Sequence, residues 1–148
     1  MTDDEWDETM HVNLGSVYAF CKECVNIMIE EKYGRIISLS SQAGIQGSIE
    51  HSHYAASKAA IIGLTCSLAR ELAPYNINVN CIAPGIISTK MISGFSDERI
   101  ERFLNQIPLG RFGSPDDVAG IICFLASKDA DYMTGQTINI TGGWLMHS

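Results

Sequence analysis

Three short apolar runs, each separated from the next by a helical pattern, constrain the fold of this chain more than any other feature of its sequence. Their length and β-branched content are typical of buried strands. Strands that are joined through helices must be parallel, because the chain needs a crossover to return to the same end of the sheet. The three runs cover residues 35–40, 77–82 and 136–140. The sequence therefore predicts an α/β fold with about three parallel strands and flanking helices.

The helical patterns between these runs carry boundary signals of their own. The spacing Thr2-x-x-Glu5 predicts a capping box at the start of the first helix, and Gly34 suits the left-handed residue that would end it. Apolar residues at spacings of three and four predict a helix over residues 6–31. Start and stop signals predict three more, over residues 53–73, 96–106 and 114–127, of which the last begins with a serine cap, a proline and two acids. Because the pattern opens with a helix, residues 1–148 are interpreted as a single partial domain, the later part of a larger doubly wound sheet.

The composition fits a globular protein and excludes several classes of partner. Of the 148 residues, 46% are hydrophobic and 18% are charged, and the formal net charge is −7. A chain of this acidity without a basic stripe is not expected to bind nucleic acid or an anionic membrane. Its apolar runs are too short to span a bilayer, and its acidic start is unlike a secretory or mitochondrial signal. A cytoplasmic protein is the resulting expectation.

The five cysteines indicate a reducing compartment, because an odd number without paired spacing is unlike a disulfide framework. Cys21-x-x-Cys24 lies within a helical pattern and lacks a second pair of ligands. We interpret both cysteines as small apolar core residues, and we expect no metal site.

The spacing Tyr54-x-x-x-Lys58 is the central candidate for chemistry. Residues four apart share one face of a helix, so the Lys58 ammonium is expected beside the Tyr54 phenol. A nearby cation stabilises a phenolate, and such a tyrosine exchanges a proton with a carbonyl or an alcohol at working pH. The spacing alone is a weak signal, since it also occurs by chance on exposed helix faces.

Two further polar residues are candidates because of their predicted positions. Ser41 lies at the carboxyl end of the first strand, where ligands bind to open parallel sheets. It is therefore placed to donate a hydrogen bond to a substrate oxygen, with an ordinary turn-forming serine as the alternative. Asn13 is polar within the first helix, where its amide could hold a water molecule or a backbone group and link to Lys58. The sequence alone favours a surface position for Asn13.

A second turn at a strand end, Pro84-Gly85-x-x-x-Thr89, follows the second strand. Glycine permits a ligand to approach the backbone closely, and the Thr89 hydroxyl suits an amide or a phosphate. An ordinary strand-to-helix turn is the alternative interpretation. The segment that follows, residues 89–106, is predicted to cover the pocket as a lid.

The order and spacing of all these motifs, taken together, are far more specific than any one of them. The motifs are Asn13, Ser41, Tyr54-Ala-Ala-Ser-Lys58, Asn80-Cys-Ile-Ala-Pro-Gly85, Pro108-Leu-Gly-Arg-Phe-Gly113 and Ile140-Thr-Gly-Gly143. The sequence resembles the short-chain dehydrogenase/reductase family over essentially its whole length. It looks most like members of the 3-oxoacyl-acyl-carrier-protein reductase and the sugar or polyol dehydrogenase types.

The resemblance implies an oxidoreductase that uses NAD or NADP to interconvert a carbonyl and a secondary alcohol of a small-molecule substrate by hydride transfer. In this role Tyr54 would be the general acid or base, and Lys58 would support it and bind the nicotinamide ribose. Ser41 would polarise the substrate oxygen, and Asn13 would anchor a water molecule in a proton relay. The residues implied to contact the cofactor are Tyr54, Lys58, Pro84, Gly85, Ile87 and Thr89. A homo-oligomer through the faces of the two long helices is also implied.

The glycine-rich phosphate turn of the family has no counterpart in this sequence. We therefore interpret the chain as the carboxyl-terminal part of a Rossmann-like sheet, with the N-terminal nucleotide-binding half missing. The outer edge of the first strand is then expected to expose unpaired backbone groups, and the isolated chain is expected to be marginally stable and to bind dinucleotide poorly. Two alternatives stay open: a truncated, non-catalytic family member that acts only as an assembly partner, and an epimerase-type relative.

Overall fold

The computed structural model describes residues 1–92 and 94–146 of the chain. Within them, three strands form one parallel sheet in the order β1 (Gly34–Leu39), β2 (Ile77–Pro84) and β3 (Thr137–Ile140). Gly34 of β1 lies opposite Ile77 of β2, and Cys81 of β2 lies opposite Thr137 of β3. The predicted α/β fold with three parallel strands is confirmed.

Helices fill the connections between the strands and cover both faces of the sheet. They are α1 (Asp3–Met10), α2 (Ser16–Glu31), α3 (Ala43–Gln46), α4 (Ser52–Leu72), α5 (Asp97–Leu104) and α6 (Pro115–Ala126). Short 3-10 turns occupy Ala73–Tyr75, Lys90–Ile92 and Lys128–Ala130. The helix α3 and the three 3-10 turns lie in segments that the sequence patterns left as loops, because pieces of three or four residues are too short to show a period.

The first helical region differs from the single helix that was predicted over residues 6–31. The capping box is confirmed, since Thr2 Oγ1 accepts from the Glu5 backbone and Glu5 Oε2 accepts from the Thr2 backbone. The helix begins at Asp3, however, and a π-helical turn, His11–Gly15, interrupts it before α2 starts. Such turns insert an extra residue into a helix and occur frequently at functional sites.

The end of α2 corrects the prediction that Gly34 is its left-handed cap. Lys32 adopts that conformation, with φ 51°, and the amides of Lys32 and Tyr33 bond back to the carbonyls of Ile29 and Met28. Gly34 is instead the first residue of β1. A Cβ there would lie 2.5 Å from the Met28 sulfur, so this glycine is needed for close packing of the strand under α2.

The core has one cluster on each face of the sheet, and β2 contributes to both. Ile77 and Val79 pack with Ala69 and Leu72 of α4 on one face. Ile82 packs with Leu125 of α6 on the other. The central strand is buried along nearly its whole length because helices cover it on both faces and strands flank it on both edges.

Two buried asparagines of β2 fix the loop that leads into β3. Asn80 is 1% exposed, its Nδ2 donates to Met133 O at 2.8 Å, and its Oδ1 accepts from the Gln136 amide at 3.0 Å. The Nδ2 of Asn78 lies within hydrogen-bond distance of three carbonyls of the same loop. These side chains satisfy backbone groups that the irregular loop would otherwise bury unpaired.

The described part of the chain lacks two features. It contains no helix whose length and hydrophobicity would let it cross a bilayer. It also contains no cluster of three or more His, Cys, Asp or Glu side chains that could hold a metal ion. Of the two cysteines in Cys21-x-x-Cys24, Cys21 is buried as predicted, whereas Cys24 is exposed on α2.

Candidate active site

The carboxyl ends of the three strands meet the start of α4, and this edge of the sheet carries most of the candidate residues. Hydrogen bonds continue the ladder beyond the strands, since the Gln42 amide donates to Pro84 O and the Gly85 amide donates to Ile140 O. Residues that follow the strands are thus held in register with one another. In open parallel sheets this edge is where ligands bind.

Tyr54 and Lys58 lie on one face of α4, as their spacing predicts. The Lys58 Nζ is 5.7 Å from the centre of the Tyr54 ring. Both side chains are partly buried, and desolvation lowers the pKa of Lys58. The pair therefore places a phenol and an ammonium close together on one partly buried face of α4.

The Lys58 ammonium donates a hydrogen bond of 2.9 Å to the carbonyl of Leu39. The backbone amide of Ser40 donates to Ile82 O of β2, and Leu39 lies opposite Ile82 in the register. Because successive residues of a parallel strand bond to alternate sides, the amide and carbonyl of Leu39 point away from β2. Among residues 1–92 and 94–146, no strand lies on that side of β1. Lys58 thus satisfies one carbonyl of an otherwise open sheet edge.

Ser41 lies in a short turn that is pressed against α4. Its Oγ accepts a hydrogen bond of 3.2 Å from the Ala43 amide, which is the turn-forming role given above as the alternative. This bond uses an oxygen lone pair and leaves the hydroxyl proton able to donate. The turn role and the proposed polarising role are therefore compatible.

The close packing of the Ser41 turn on α4 depends on Gly44, which the sequence patterns did not single out as a site residue. A Cβ on Gly44 would lie 2.7 Å from the carbonyl carbon of Lys58 and 2.8 Å from the Ala59 nitrogen. Ser40 adds a second tie, since its Oγ donates to Lys58 O at 2.8 Å. Only a residue without a side chain lets the Ser41 turn approach α4 this closely. The approach fixes the distance between Ser41 and the helix that carries Tyr54 and Lys58.

Asn13 is not on the surface, and it does not contact Lys58. It lies in the π-helical turn, partly buried, and its Nδ2 donates a hydrogen bond of 3.0 Å to Ser57 Oγ. Ser57 is fully buried and in turn donates to Tyr54 O at 2.7 Å. Asn13 is thus more buried than the surface position that the sequence alone favoured, and its link to Lys58 through a water molecule or a backbone group stays a prediction. The sequence missed Ser57 because a serine between two motif residues carries no signal of its own.

The four residues expected to line the cofactor lie on one continuous segment that begins at the end of β2. A Cβ on Gly85 would lie 2.9 Å from Gln42 Oε1 and 3.1 Å from Thr141 Cα, so this glycine is needed for packing between the strand ends. Pro84 ends β2, and Ile87 forms an isolated parallel bridge with Gly113. Thr89 follows directly, before the 3-10 turn Lys90–Ile92.

The predicted lid, residues 89–106, contains residue 93, which lies outside the described residues. Its described part carries an aromatic cluster in which the Phe95 and Phe103 rings are 5.8 Å apart and the Phe103 and Trp144 rings are 5.9 Å apart. The Arg99 guanidinium lies 4.1 Å from the centre of the Phe95 ring. The cluster ties this segment to the chain beyond β3, because Trp144 follows the Gly142-Gly143 turn.

A parallel sheet with a tyrosine and a lysine on the helix that enters its carboxyl edge, and a serine turn beside them, defines an α/β protein of the Rossmann-like kind. A family model described as enoyl-(acyl carrier protein) reductase matches residues 1–145. The chain belongs to the short-chain dehydrogenase/reductase family.

Individual relatives agree with this assignment. The chain is 43% identical over 139 residues to a 3-oxoacyl-[acyl-carrier-protein] reductase of Aquifex aeolicus, covering 94% of this chain and 56% of that protein. It is 46% identical over 143 residues to the Thermotoga maritima protein of the same name, covering 97% and 58%. The crystal structure of a 3-oxoacyl-[acyl-carrier protein] reductase from Brucella melitensis superposes with a TM-score of 0.95 at 39% identity, covering 99% of this chain and 55% of that one. The chain thus spans little more than half the length of these relatives.

Proposed function

We propose that this chain supplies the catalytic part of an NAD(P)-dependent oxidoreductase that interconverts a 3-oxoacyl thioester and the corresponding secondary alcohol. The observation that carries the proposal is the arrangement at the start of α4, where Lys58 lies 5.7 Å from the Tyr54 ring and the Ser41 turn packs on the same helix through Gly44. The names of the relatives support the substrate class.

The donors at this edge fit the nicotinamide and ribose end of a dinucleotide. Lys58 has three N–H donors and uses one of them for Leu39 O, so two remain for ribose hydroxyls. The phosphate end requires a glycine-rich turn that this sequence does not contain. Residues 84–89 would line the nicotinamide side, and either NAD or NADP is compatible with the residues present.

When bound, the nicotinamide cofactor supplies the hydride that the carbonyl carbon accepts. Tyr54 gives its phenolic proton to the carbonyl oxygen as the C–O π bond breaks, and in the reverse direction it takes that proton from the alcohol. The Lys58 ammonium stabilises the phenolate that Tyr54 becomes. Ser41 donates to the same substrate oxygen, and Asn13 holds the α4 turn through Ser57 and anchors a water molecule that returns a proton to the site.

One alternative is a family member that does not catalyse and acts only as an assembly partner. The residues given contain no glycine-rich phosphate turn, and a dinucleotide that was bound through them alone would be held weakly, which favours this alternative for the chain by itself. The hydrogen bond from Lys58 to Leu39 O favours the same alternative, because a lysine that already donates to a backbone carbonyl is only partly available to a ribose.

The deciding experiment follows NADH and NADPH oxidation with a 3-oxoacyl thioester and, separately, with a 2-enoyl thioester. The chain is assayed alone and together with any residues that its gene encodes upstream. We expect oxidation with the 3-oxoacyl substrate, and a loss of about 10²- to 10⁴-fold in kcat for Tyr54→Phe. Tyr75→Phe is the matched control, because Tyr75 is exposed in the 3-10 turn after α4. Cofactor oxidation only with the 2-enoyl thioester would mean that the protein reduces a carbon–carbon double bond and not a carbonyl. If neither preparation oxidises NADH or NADPH, the assembly role is the function that remains.

Self-association through the two long helical regions, residues 6–31 and 53–73, is a second part of the proposal, and the exposed side chains that support it lie in the first of them. The surface of α1 and α2 exposes several large apolar side chains, an arrangement more typical of a covered face than of a free one. Phe20 is 75% exposed, Ile27 64% and Tyr18 56%. We propose that a second copy covers this face. Light scattering at micromolar concentration should show a dimer or larger species, and Phe20→Lys should shift it to monomer. A wild-type chain that is monomeric at 100 µM, on the order of the weak end of specific association, would contradict this.

A further inference from the structure

The segment that follows β2 is held in place by a residue far along the chain. The Gly113 amide donates to Ile86 O at 3.0 Å, and Gly113 O accepts from the Ser88 amide at 2.7 Å. These two bonds form an isolated parallel bridge between Ile87 and Gly113, three residues beyond the end of β2. A Cβ on Gly113 would lie 2.6 Å from Ile87 Cδ1, so the backbone of Gly113 lies directly against the Ile87 side chain.

Gly113 is itself fixed by a charged cluster at the start of α6. Asp117 accepts two hydrogen bonds from Arg111, Nη1 to Oδ2 at 2.7 Å and Nη2 to Oδ1 at 3.0 Å. The same carboxylate accepts from the Ser114 amide at 2.6 Å and from the Ser114 hydroxyl at 2.9 Å. Arg111 also donates to Phe112 O at 3.1 Å. The residues on both sides of Gly113 are therefore bound to one carboxylate of a capped helix.

The energetics of this cluster argue for a geometrical role. The Arg111 and Asp117 side chains are 57% and 33% exposed, and exposed ion pairs contribute little to overall stability. Their bidentate arrangement nevertheless fixes orientation as well as distance. The Arg111 guanidinium, followed by the Ser114 amide and hydroxyl, holds the pKa of Asp117 well below its usual range, so the carboxylate stays ionised at every pH at which a reductase would work.

A cleft borders the segment Ile86–Ser88 on the side of α6. It has a volume of about 240 Å³ and is lined by Ile86, Gly113, Asp117, Ile121 and residues at the end of β3. The two bonds to Gly113 join the segment to the start of α6 beside this cleft. A shift of Gly113 would move Ile87 with it.

We propose that Arg111 and Asp117 are positioning residues that act through Gly113 to hold Ile86–Ser88, and with it the nicotinamide-facing side of the site, at a fixed distance from Tyr54 and Lys58. The cofactor part of this inference rests on the proposed function. The mechanical part rests only on the contacts of Gly113 with Ile86 and Ser88 and on the Arg111–Asp117 cluster.

The first test measures hydrogen exchange of individual backbone amides by NMR on the 148-residue chain. Asp117→Asn keeps the size of the side chain and removes its charge, and we expect it to speed exchange at the Ser88 and Gly113 amides by about tenfold or more. Asp116→Asn is the matched control, because Asp116 is an exposed acid in the same first turn of α6. It should change these two amides less than about twofold. Exchange at Ser88 and Gly113 that is equal in the two variants overturns the proposal.

The second test uses the reductase assay on whichever preparation is active. Asp117→Asn should raise the KM for the nicotinamide cofactor about fivefold or more, with the KM for the oxoacyl substrate within about twofold, and Arg111→Lys should lie between this variant and wild type. A merely structural role would lower the active fraction and hence kcat, and would leave the cofactor KM unchanged. An unchanged cofactor KM beside faster exchange overturns the link to the cofactor. If no preparation is active, the proposed function fails, and amide exchange alone decides whether Arg111 and Asp117 hold the segment.

Discussion

The centre of the sheet and its outer side differ in how completely their apolar side chains are buried and their backbone groups are hydrogen-bonded. At the centre, β2 is buried on both faces, and α4 packs on it through Ala69 and Leu72, which are 3% and 5% exposed. On the outer side, α1, which lies wholly within the described residues, buries none of its side chains, and α2 buries only Cys21. The edge of β1 that faces away from β2 offers backbone groups that no described strand accepts.

Within the described residues, the centre of the sheet is covered on every side, whereas the outer side leaves a sheet edge and a helix surface uncovered. A sheet edge and an apolar helix face are both regions that proteins ordinarily cover. The candidate active site lies on the boundary between the two, since α4 is anchored on β2 while the Lys58 ammonium reaches the open edge at Leu39 O.

The largest effect should come from the same substitution made on each side of this boundary. Ile61→Ala removes a fully buried side chain from α4, and we expect it to lower the free energy of unfolding by about 2–5 kcal/mol. Ile27→Ala removes a side chain that is 64% exposed on α2, and it should change the same quantity by less than about 0.5 kcal/mol in the monomer. Urea denaturation followed by circular dichroism measures both.

Repeating the two measurements at several protein concentrations makes the comparison of Ile61→Ala with Ile27→Ala more specific. If a second copy covers α2, the cost of Ile27→Ala should grow at concentrations where the wild type associates, because the lost contact then belongs to an interface. The cost of Ile61→Ala should not change in this way. Equal costs for the two variants in dilute solution would contradict the contrast between the two regions.

A smaller effect is expected from two asparagines within the sheet. Asn80→Ala removes the donor to Met133 O and leaves the Gln136 amide without its acceptor, so we expect a loss of about 2–3 kcal/mol. The Oδ1 of Asn139 in β3 is buried with no hydrogen-bond partner among the described residues. Asn139→Ala should therefore cost less than about 1 kcal/mol, because it removes an unsatisfied group. Thermal unfolding of the two variants, compared at one protein concentration, distinguishes them.

The features that sequence could predict are those that depend on local periods. The parallel sheet followed from the spacing of three apolar runs, and the neighbourhood of Tyr54 and Lys58 followed from one helical turn. The contact between Asn13 and Ser57 joins residues 44 positions apart, and no local pattern contains it. Gly44 is another such case, because its need is set by the backbone of Lys58 on another helix.

The left-handed cap shows how a correct rule was applied to the wrong residue. Glycine is the usual residue at a helix end, and Gly34 lies three positions after Glu31, the last residue of α2. In the structure Lys32 is the left-handed residue at the end of α2, and Gly34 packs against Met28 instead. Glycine at position 34 therefore matters because it lacks a side chain, and its backbone conformation matters less. Local propensity predicts which residues are able to adopt a conformation, and tertiary packing decides which residue does so.

The smallest effect concerns Lys58, which connects the two regions. Burial lowers the pKa of Lys58 in the folded chain, whereas the unfolded chain has an ordinary lysine pKa of about 10.4. The cost of holding this charged group is therefore fully present below the folded pKa, and it disappears as the pH rises towards the unfolded value. Lys58→Met removes the charge, and at pH 7 we expect it to raise the melting temperature by about 1–3 °C, less the contribution of the bond to Leu39 O.

The advantage of Lys58→Met should shrink when melting is repeated from pH 8 to about pH 10.5, because the wild type then loses its buried charge. Lys22→Met, on the exposed face of α2, is the matched control and should show no such trend. A variant that melts below the wild type at every pH would mean that the Leu39 contact outweighs burial and that Lys58 serves the sheet edge more than the site. A gain in stability together with a loss of reductase activity would instead mean that Lys58 is retained for chemistry at the expense of the fold.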